Sequence, residues 1–263
     1  PDNFGAVVNQ GLDVQLGYRG RTGNWNYAVN GNIGFVKNEV VKLKDDAPFG
    51  SGTGRVAEGK PLNYIYGYEV GGMFQTEEEV EEYQENYDDV PANAGQVSPG
   101  DLWFKDIRGN PGEEDRFYSP NPDSVVNNYD RHYLGKTIPG FTYGFNFSVG
   151  YKNVSLSANF YGEGDVSAYN YTRVGLVNMS SKGNNQITEV MDRWTEEDPD
   201  TDMPRAVAGD PAKNNRFSSR FVEDASYFRM QSLRLSYTLP DWIYSSMGTG
   251  QKITIWAGGS NLF

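Results

Sequence analysis

The sequence contains no cysteine, which excludes disulfides, thiolate nucleophiles and cysteine-ligated zinc. That absence suits a protein that crosses an oxidising compartment such as the periplasm. It has a single histidine, His132, so no Ser-His-Asp triad and no two-histidine metal site can form within it. Basic residues are scarce: 23 Lys and Arg against 35 Asp and Glu leave a net charge of −12, without the basic footprint that nucleic-acid binding needs. Long apolar runs are missing too. The mean hydropathy is negative, and nothing approaches the roughly 20 apolar residues of a membrane helix, so a helical membrane protein is excluded. No leader opens the sequence and Pro1 is no initiator, so a mature or truncated start is expected.

What the sequence does hold is glycine and aromatic rings: 31 Gly, 18 Tyr and 14 Phe. An outer-membrane β-barrel uses such residues, with aromatics against lipid and small polar residues inside; a soluble β-rich domain shares the composition. Period-two alternation is the stronger signal. Phe141, Tyr143, Phe145, Phe147, Val149 and Tyr151 share one face, and Thr142, Gly144, Asn146, Ser148 and Gly150 the other. A two-residue turn, Lys152-Asn153, leads to Val154, Leu156, Ala158 and Phe160, alternating with Ser155, Ser157 and Asn159. Leu12, Val14, Leu16 and Tyr18 alternate with Asp13, Gln15, Gly17 and Arg19. A short turn, 20–24, then leads to Trp25, Tyr27, Val29, Gly31, Ile33 and Phe35. Leu233, Leu235, Tyr237 and Leu239 alternate with Ser232, Arg234, Ser236 and Thr238. After a turn at 240–250, Ile253, Ile255 and Ala257 take the apolar face, while Trp256 points the other way.

The fold class this predicts is all-β: part of a transmembrane antiparallel β-barrel with long extracellular loops. Its hairpins are 1–37, 140–162 and 225–263, joined by long connections at 38–139 and 163–224. Short turns on one rim and long loops on the other is the asymmetry of outer-membrane barrels. In a compact soluble domain, connections of that length would weigh against the assignment. Arg19 and Arg234 fall on the non-aromatic face, where a wet lumen tolerates them. Within the loops, Thr76 to Glu79 fits a capping box opening a short acidic helix to about Asn86, with Val80, Tyr83 and Tyr87 on one side. A second helix is expected at 187–194, with Ile187, Val190, Met191 and Trp194 as its apolar side.

Little here reads as catalysis. The acids crowd into loops, at Glu77, Glu78, Glu79, Glu81, Glu82, Glu85, Asp88 and Asp89 and again at 196–202, where solvated turns are the ordinary explanation. Paired carboxylates for glycoside hydrolysis need a rigid scaffold, so no enzyme is expected. Gly50 to Gly54 is superficially similar to a phosphate loop but lacks the Lys-Ser/Thr and the strand–helix setting. Two segments resemble calcium loops, in which alternating oxygens wrap a hard cation. In the first, Asp106, Asn110 and Asp115 are the candidate ligands, but Arg108 stands where a ligand should be. The second is 198–202, which has the alternation but no glycine or distal Glu.

The run Gly100-Asp101-Leu102-Trp103-Phe104-Lys105-Asp106 resembles a segment of the SusC/RagA family of TonB-dependent outer-membrane transporters of Bacteroidetes. Further segments are similar in the same order: 139–146 (Pro-Gly-Phe-Thr-Tyr-Gly-Phe-Asn), 151–156 (Tyr-Lys-Asn-Val-Ser-Leu), 192–195 (Asp-Arg-Trp-Thr) and 202–206 (Asp-Met-Pro-Arg-Ala). They continue with 221–229, 235–240 and a final Ser260-Asn261-Leu262-Phe263, while Asn9-Gln10-Gly11-Leu12-Asp13 resembles the family's strand opening upstream. The family often has an Asp-x-Asn-x-Asp-Gly loop after the first segment; here Arg108 and Pro111 break it. The resemblance implies a barrel of about 22 strands with a plug in its lumen, contact with the TonB complex through an N-terminal part, and a SusD-like surface lipoprotein as partner. It also implies oligosaccharide or peptide as cargo. Six strands cannot close, since barrels begin at about eight, so the chain is expected to be part of a larger barrel whose remaining strands and plug lie elsewhere. Trp194, Tyr169 and Tyr171 are candidate substrate-binding residues on loops. A passive barrel or surface adhesin without energy coupling is the alternative reading, and a soluble glycan-binding β domain a further one.

Overall fold

The computed structural model describes residues 4–91, 96–112, 117–246 and 252–263. The chain forms two compact units: residues 1–42, 138–166 and 224–263 make the first, and 43–137 with 167–223 the second.

The first unit is a six-stranded sheet, with strands β1 (Gly5–Thr22), β2 (Trp25–Leu43), β3 (Phe141–Tyr151), β4 (Val154–Gly164), β5 (Tyr227–Thr238) and β6 (Thr254–Ser260) in chain order. The pairings whose register is defined are antiparallel. Register follows the alternation, because a one-residue slip would move every aromatic to the other face. Phe147 lies between Val29 and Ala158, and Ala158 faces Leu233. One face is therefore apolar across the sheet, with Phe145, Phe160, Phe228 and Phe263 in ring contact. The other face is small and polar. Asn30 donates to Asn146 at 3.1 Å, and in the same row Asn159 donates to Ser232 at 2.7 Å.

Trp256 takes the polar face, as its alternation predicts, because its ring lies 4.5 Å beneath the Arg234 guanidinium. Strand β5 begins at Tyr227, earlier than the alternation suggests. Asn159 pairs with Ser232 but Phe160 with Met230, so Gln231 is an extra residue, a β-bulge. The bulge lets even-numbered Phe228 and Met230 share a face with odd-numbered Leu233, Leu235 and Tyr237. Strand β2 also runs past the expected boundary at 37, to Leu43, and β1 begins at Gly5, ahead of the first alternating residue, Leu12. Around Asn9, Lys37 and Asn38 both faces are polar, so the alternation fades while backbone pairing continues; Asn38 donates to Asn9 at 2.6 Å.

Two tight turns close one rim, Gly23-Asn24 (Gly23 φ +59°) and Lys152-Asn153 (Lys152 φ +52°). At the opposite rim Phe35, Phe141, Gly164 and Glu163 with Tyr227 come into register, and from there both long connections leave. The third hairpin carries a short helix, Asp241–Ser246, after Pro240; its expected turn residues 247–251 lie outside the described ones.

The second unit is built of short strands and three small cores. Strands Gly52–Arg55, Tyr64–Gly67 and His132–Gly135 form one sheet, and Val70–Met73 pairs with Leu102–Phe104. The acidic helix is present as α1 (Glu77–Asn86). Thr76 Oγ1 accepts from Glu79 N at 3.3 Å, and Glu79 Oε2 reaches back to accept from Gln75 N at 2.7 Å, one residue before the expected donor. The expected helix at 187–194 is instead a 3₁₀ turn over Thr188–Asp192. Ile187 supplies no side-chain cap, and its N–H is held by Leu176 O. Val190 is buried while Met191 is 72 % exposed, so the apolar residues do not share a face. Trp194 lies in extended chain, its N–H donating to Met203 O at 2.8 Å.

Candidate functional site: the loop unit

Three of the segments that resemble the family, 100–106, 192–195 and 202–206, meet in this unit. Gly100 has φ +84°, and a Cβ there would fall within the Trp194 ring, so glycine is needed for both backbone and packing. Arg205 N donates to Gly100 O at 2.9 Å. The Asp101 carboxylate is wholly buried and accepts three hydrogen bonds: from Ser98 N (3.0 Å), Arg205 Nη2 (2.8 Å) and Asn214 Nδ2 (2.8 Å). A buried charge without such partners would be strongly unfavourable, so Asp101 ties 98–101 to 205 and 214. Leu102 and Phe104, two strand positions apart, enter one core with Tyr68 and Val126. Asp89 and Arg216 form a buried two-pronged pair at 3.0 Å, and the Arg216 guanidinium lies 3.8 Å over the Phe104 ring.

The candidate calcium residues are placed as follows. Asp106 Oδ2 accepts from Ser124 N, and Asn110 donates through both its N–H and its side-chain amide to Asp123 Oδ2 at 2.8 Å. Asp130 Oδ1 accepts from Ile107 N and Arg108 N, and Arg108 stacks 4.0 Å over Tyr118 while donating to Arg131 O. Direct protein contacts thus close this loop; a cation there would have to displace N–H donors. Asp115 lies outside the described residues. Among the described residues no group of three or more His, Asp and Glu is arranged to hold a metal ion. Burial, reinforced by Asp130, raises the Asp106 carboxyl above its ordinary range.

Of the aromatic candidates, Tyr169 is buried, stacked on Phe217 at 3.8 Å between ring centres and packed against Phe221. Burial, with Tyr171 adding, pushes its hydroxyl up to about 12. Tyr171 is 60 % exposed and leans on Tyr169 edge-on. Trp194 is half-buried, its Nε1 donating to Gln75 Oε1 at 3.1 Å. The three do not converge on one cavity.

Two open clefts flank the strand Val70–Met73. The first, about 910 Å³, is bordered by Thr76, Asp200, Asp202 and Arg220. Burial lowers the Arg220 pKa to about 10, with neighbouring Arg173 adding to the effect. The second, about 750 Å³, is bordered by Tyr83, Tyr87, Trp103, Glu82, Lys105 and Asp106. Motif scanning had no means to find either, since each is assembled from segments distant in sequence.

An antiparallel sheet with one apolar and one small-polar face, open at both edge strands and feeding long connections from one rim, has the architecture of outer-membrane barrel wall. Among the described residues no helix is long and apolar enough to cross a membrane. Comparison with known proteins names the type more closely. TonB-dependent receptors P3 and P26 of Formosa agariphila are 28 % and 26 % identical to this chain over 99 % of it. A third, P39 of the same organism, is 23 % identical. Among solved structures the chain is similar to the RagAB peptide transporter, with TM-score 0.74, 20 % identity and 99 % of this chain covered. The RagAB peptide importer in its closed-closed state gives 0.72 and 21 %. No protein-family model matches. The resemblance to SusC/RagA-type TonB-dependent receptors holds in both comparisons. The chain spans about a quarter of the length of these relatives and of those solved chains.

Proposed function

We propose that this chain supplies barrel wall and outer loops to a TonB-dependent importer that carries nutrient across the bacterial outer membrane. The sheet's paired faces carry the reading. Leu16 (75 % exposed), Tyr18 (65 %) and Ile255 (61 %) stand on the apolar face with no second layer over them. In water such a face would be an aggregation surface; against acyl chains it is the ordinary barrel exterior. The asparagine row then lines a wet lumen. The free backbone groups of β1 and β6 would each cost several kcal/mol in lipid, so further strands must continue the sheet on both sides. The rim that sends out the long connections faces outside, and the tight turns face the periplasm.

In this reading a plug fills the lumen, the TonB complex supplies energy, and a SusD-like lipoprotein is the surface partner. Exposed Tyr171 is proposed as a contact for cargo or lipoprotein, and the cargo is oligosaccharide or peptide. The test is uptake by cells whose copy of the full receptor gene is deleted and then restored. Uptake that needs the receptor and collapses when the proton gradient is dissipated is the expected result. Uptake that continues without the gradient would favour a passive barrel, and a receptor fraction that stays soluble without detergent would end the membrane reading.

A further inference from the structure

The second cleft is lined by aromatic rings and acidic side chains. Tyr83 on α1 and Tyr87, the residue just past its end, stack with ring centres 5.2 Å apart; Phe74 meets Tyr83 edge-on. Across from them Trp103 lies against the backbone of Gly71 and Gly72, where any Cβ would run into the indole. The ring is therefore fixed in place rather than free to swing. Glu79, Glu82 and Asp106 border the same space. Lys105, the one cation among the described residues that border it, is already paired with Glu69. The cleft is thus walled by aromatic faces, which attract positive charge, and rimmed by carboxylates. Two polar atoms in its walls, Tyr83 Oη and Asp106 Oδ1, are buried and, among the described residues, meet no partner in good hydrogen-bond geometry.

Nearby, the protein satisfies a cation of its own in the same way. Arg216 sits on Phe104 and Tyr68 and is neutralised by Asp89. The open cleft repeats that combination, rings plus carboxylate, and among the described residues no cation of the chain stacks on its rings. A neutral sugar could stack on the rings and donate its hydroxyls to the carboxylates, but it would leave their negative charge uncompensated. A single ammonium or guanidinium uses the rings and compensates that charge.

We propose that this cleft binds the cationic side chain, lysine or arginine, of a peptide. The proposal deepens the import reading by naming a cargo class, and it rests on that reading only for the passage that follows binding.

The test uses the full-length receptor purified in detergent. A fluorescein-labelled pentapeptide with one central lysine is titrated by anisotropy, beside its Nε-acetylated form and beside maltohexaose. Acetylation should weaken binding about tenfold, as expected for losing one cation–π and charge contact. Glu82→Gln, isosteric and at the surface, should weaken the lysine peptide about fivefold and flatten its salt dependence. Tyr87→Ala should weaken it, and Tyr87→Phe should restore it. Equal affinity for the acetylated peptide, indifference to both Glu82→Gln and Tyr87→Ala, or Tyr87-dependent binding of maltohexaose would each overturn the proposal. Energised uptake by cells is scored separately: binding without uptake would remove the import reading and leave the cleft, and uptake without lysine-selective binding would do the reverse.

Discussion

The two units place their apolar residues in opposite ways. In the sheet, Leu12, Leu16, Phe145, Phe228 and Leu235 are all more than 40 % exposed. In the loop unit, Ile65, Phe104, Val126 and Phe221 are at or below 1 %. None of the clusters of buried apolar residues among the described residues lies in the sheet, so on the proposed reading its stability comes from lipid and from the backbone ladder. The loop unit behaves like a small water-soluble domain assembled from three miniature cores. Because each core is small, polar hubs carry an unusual share of the burden of holding segments together: Asp101, Asp130 and the Asp89–Arg216 pair. One chain thus follows two sets of stability rules, and substitutions should separate them.

The largest effect is expected at a hub. Replacing Asp101 by Ala strands Arg205, Asn214 and the Ser98 N–H at once, a loss of about 3–5 kcal/mol by analogy with broken buried ion pairs. Limited proteolysis of the detergent-purified receptor should then cut within 43–137 or 167–223, while heat-modifiable migration of the barrel stays unchanged. If the barrel lost its heat-modifiable form as well, the two units would not be energetically separate.

A pair of arginine substitutions on one strand probes the sheet. Phe145→Arg puts a charge on the apolar face and should cost about 2–4 kcal/mol if that position is mid-membrane. Ser148→Arg, on the polar face beside native Arg234's row, should cost less than about 1 kcal/mol. Urea titration of folding into lipid vesicles reads both. Equal costs would mean that lipid does not touch one face and water the other.

These two experiments also mark what could be read from the sequence. The hairpins were legible because two different solvents impose period two, and every aromatic in β3 reports it. The bulge at Gln231 was not, because an inserted residue resets the phase and hides β5's first residues, Tyr227 to Met230, from a single alternation. The outer ends of β1 and β2 were hidden because consecutive valines, Val7-Val8 and Val40-Val41, break the alternation, and Val40 and Leu43 are buried. In the loop unit the capped helix at Thr76 was visible, since a cap is a local signal. Its cores were not, because strands of three or four residues carry too little periodicity, and Asp101 meets Arg205 and Asn214 only through tertiary contact. The aromatic residues Tyr169 and Trp194 looked like binding groups for the same reason. Sequence shows that a ring is present and not whether Phe217 or Gly100 covers it.

A smaller, local effect belongs to Thr76. Thr76→Ala removes the oxygen that receives Glu79 N and should destabilise α1 by about 1 kcal/mol. Hydrogen exchange should quicken in the first turn of α1 and nowhere in the sheet. Exchange that quickened across the whole loop unit would make α1 part of one cooperative block with the three cores.

The weakest expected effect, and the one that tests the loop unit's independence most gently, is its response to pH through His132. This imidazole donates from Nε2 to Glu69 Oε2 at 3.0 Å. Burial lowers its pKa below the ordinary value near 6.5, with Arg108 also opposing the charge, and the nearby Glu69 carboxylate only partly restores it. The folded loop therefore holds a proton less tightly than the unfolded chain. A depressed pKa gives stability that is fully present above the unfolded value and is lost as pH falls through the folded one. Lowering the pH from 8 to 5 should accordingly loosen the loops, read as faster proteolysis within 43–137, while the sheet's heat-modifiable migration does not change. His132→Gln, which cannot gain a charge, should flatten that dependence over the same range. Glu69, held below its ordinary range by Lys105, adds a separate loss only at more acidic pH. A loop unit that became more protected on acidification would mean that the His132–Glu69 attraction outweighs burial, and the sign of the effect would reverse.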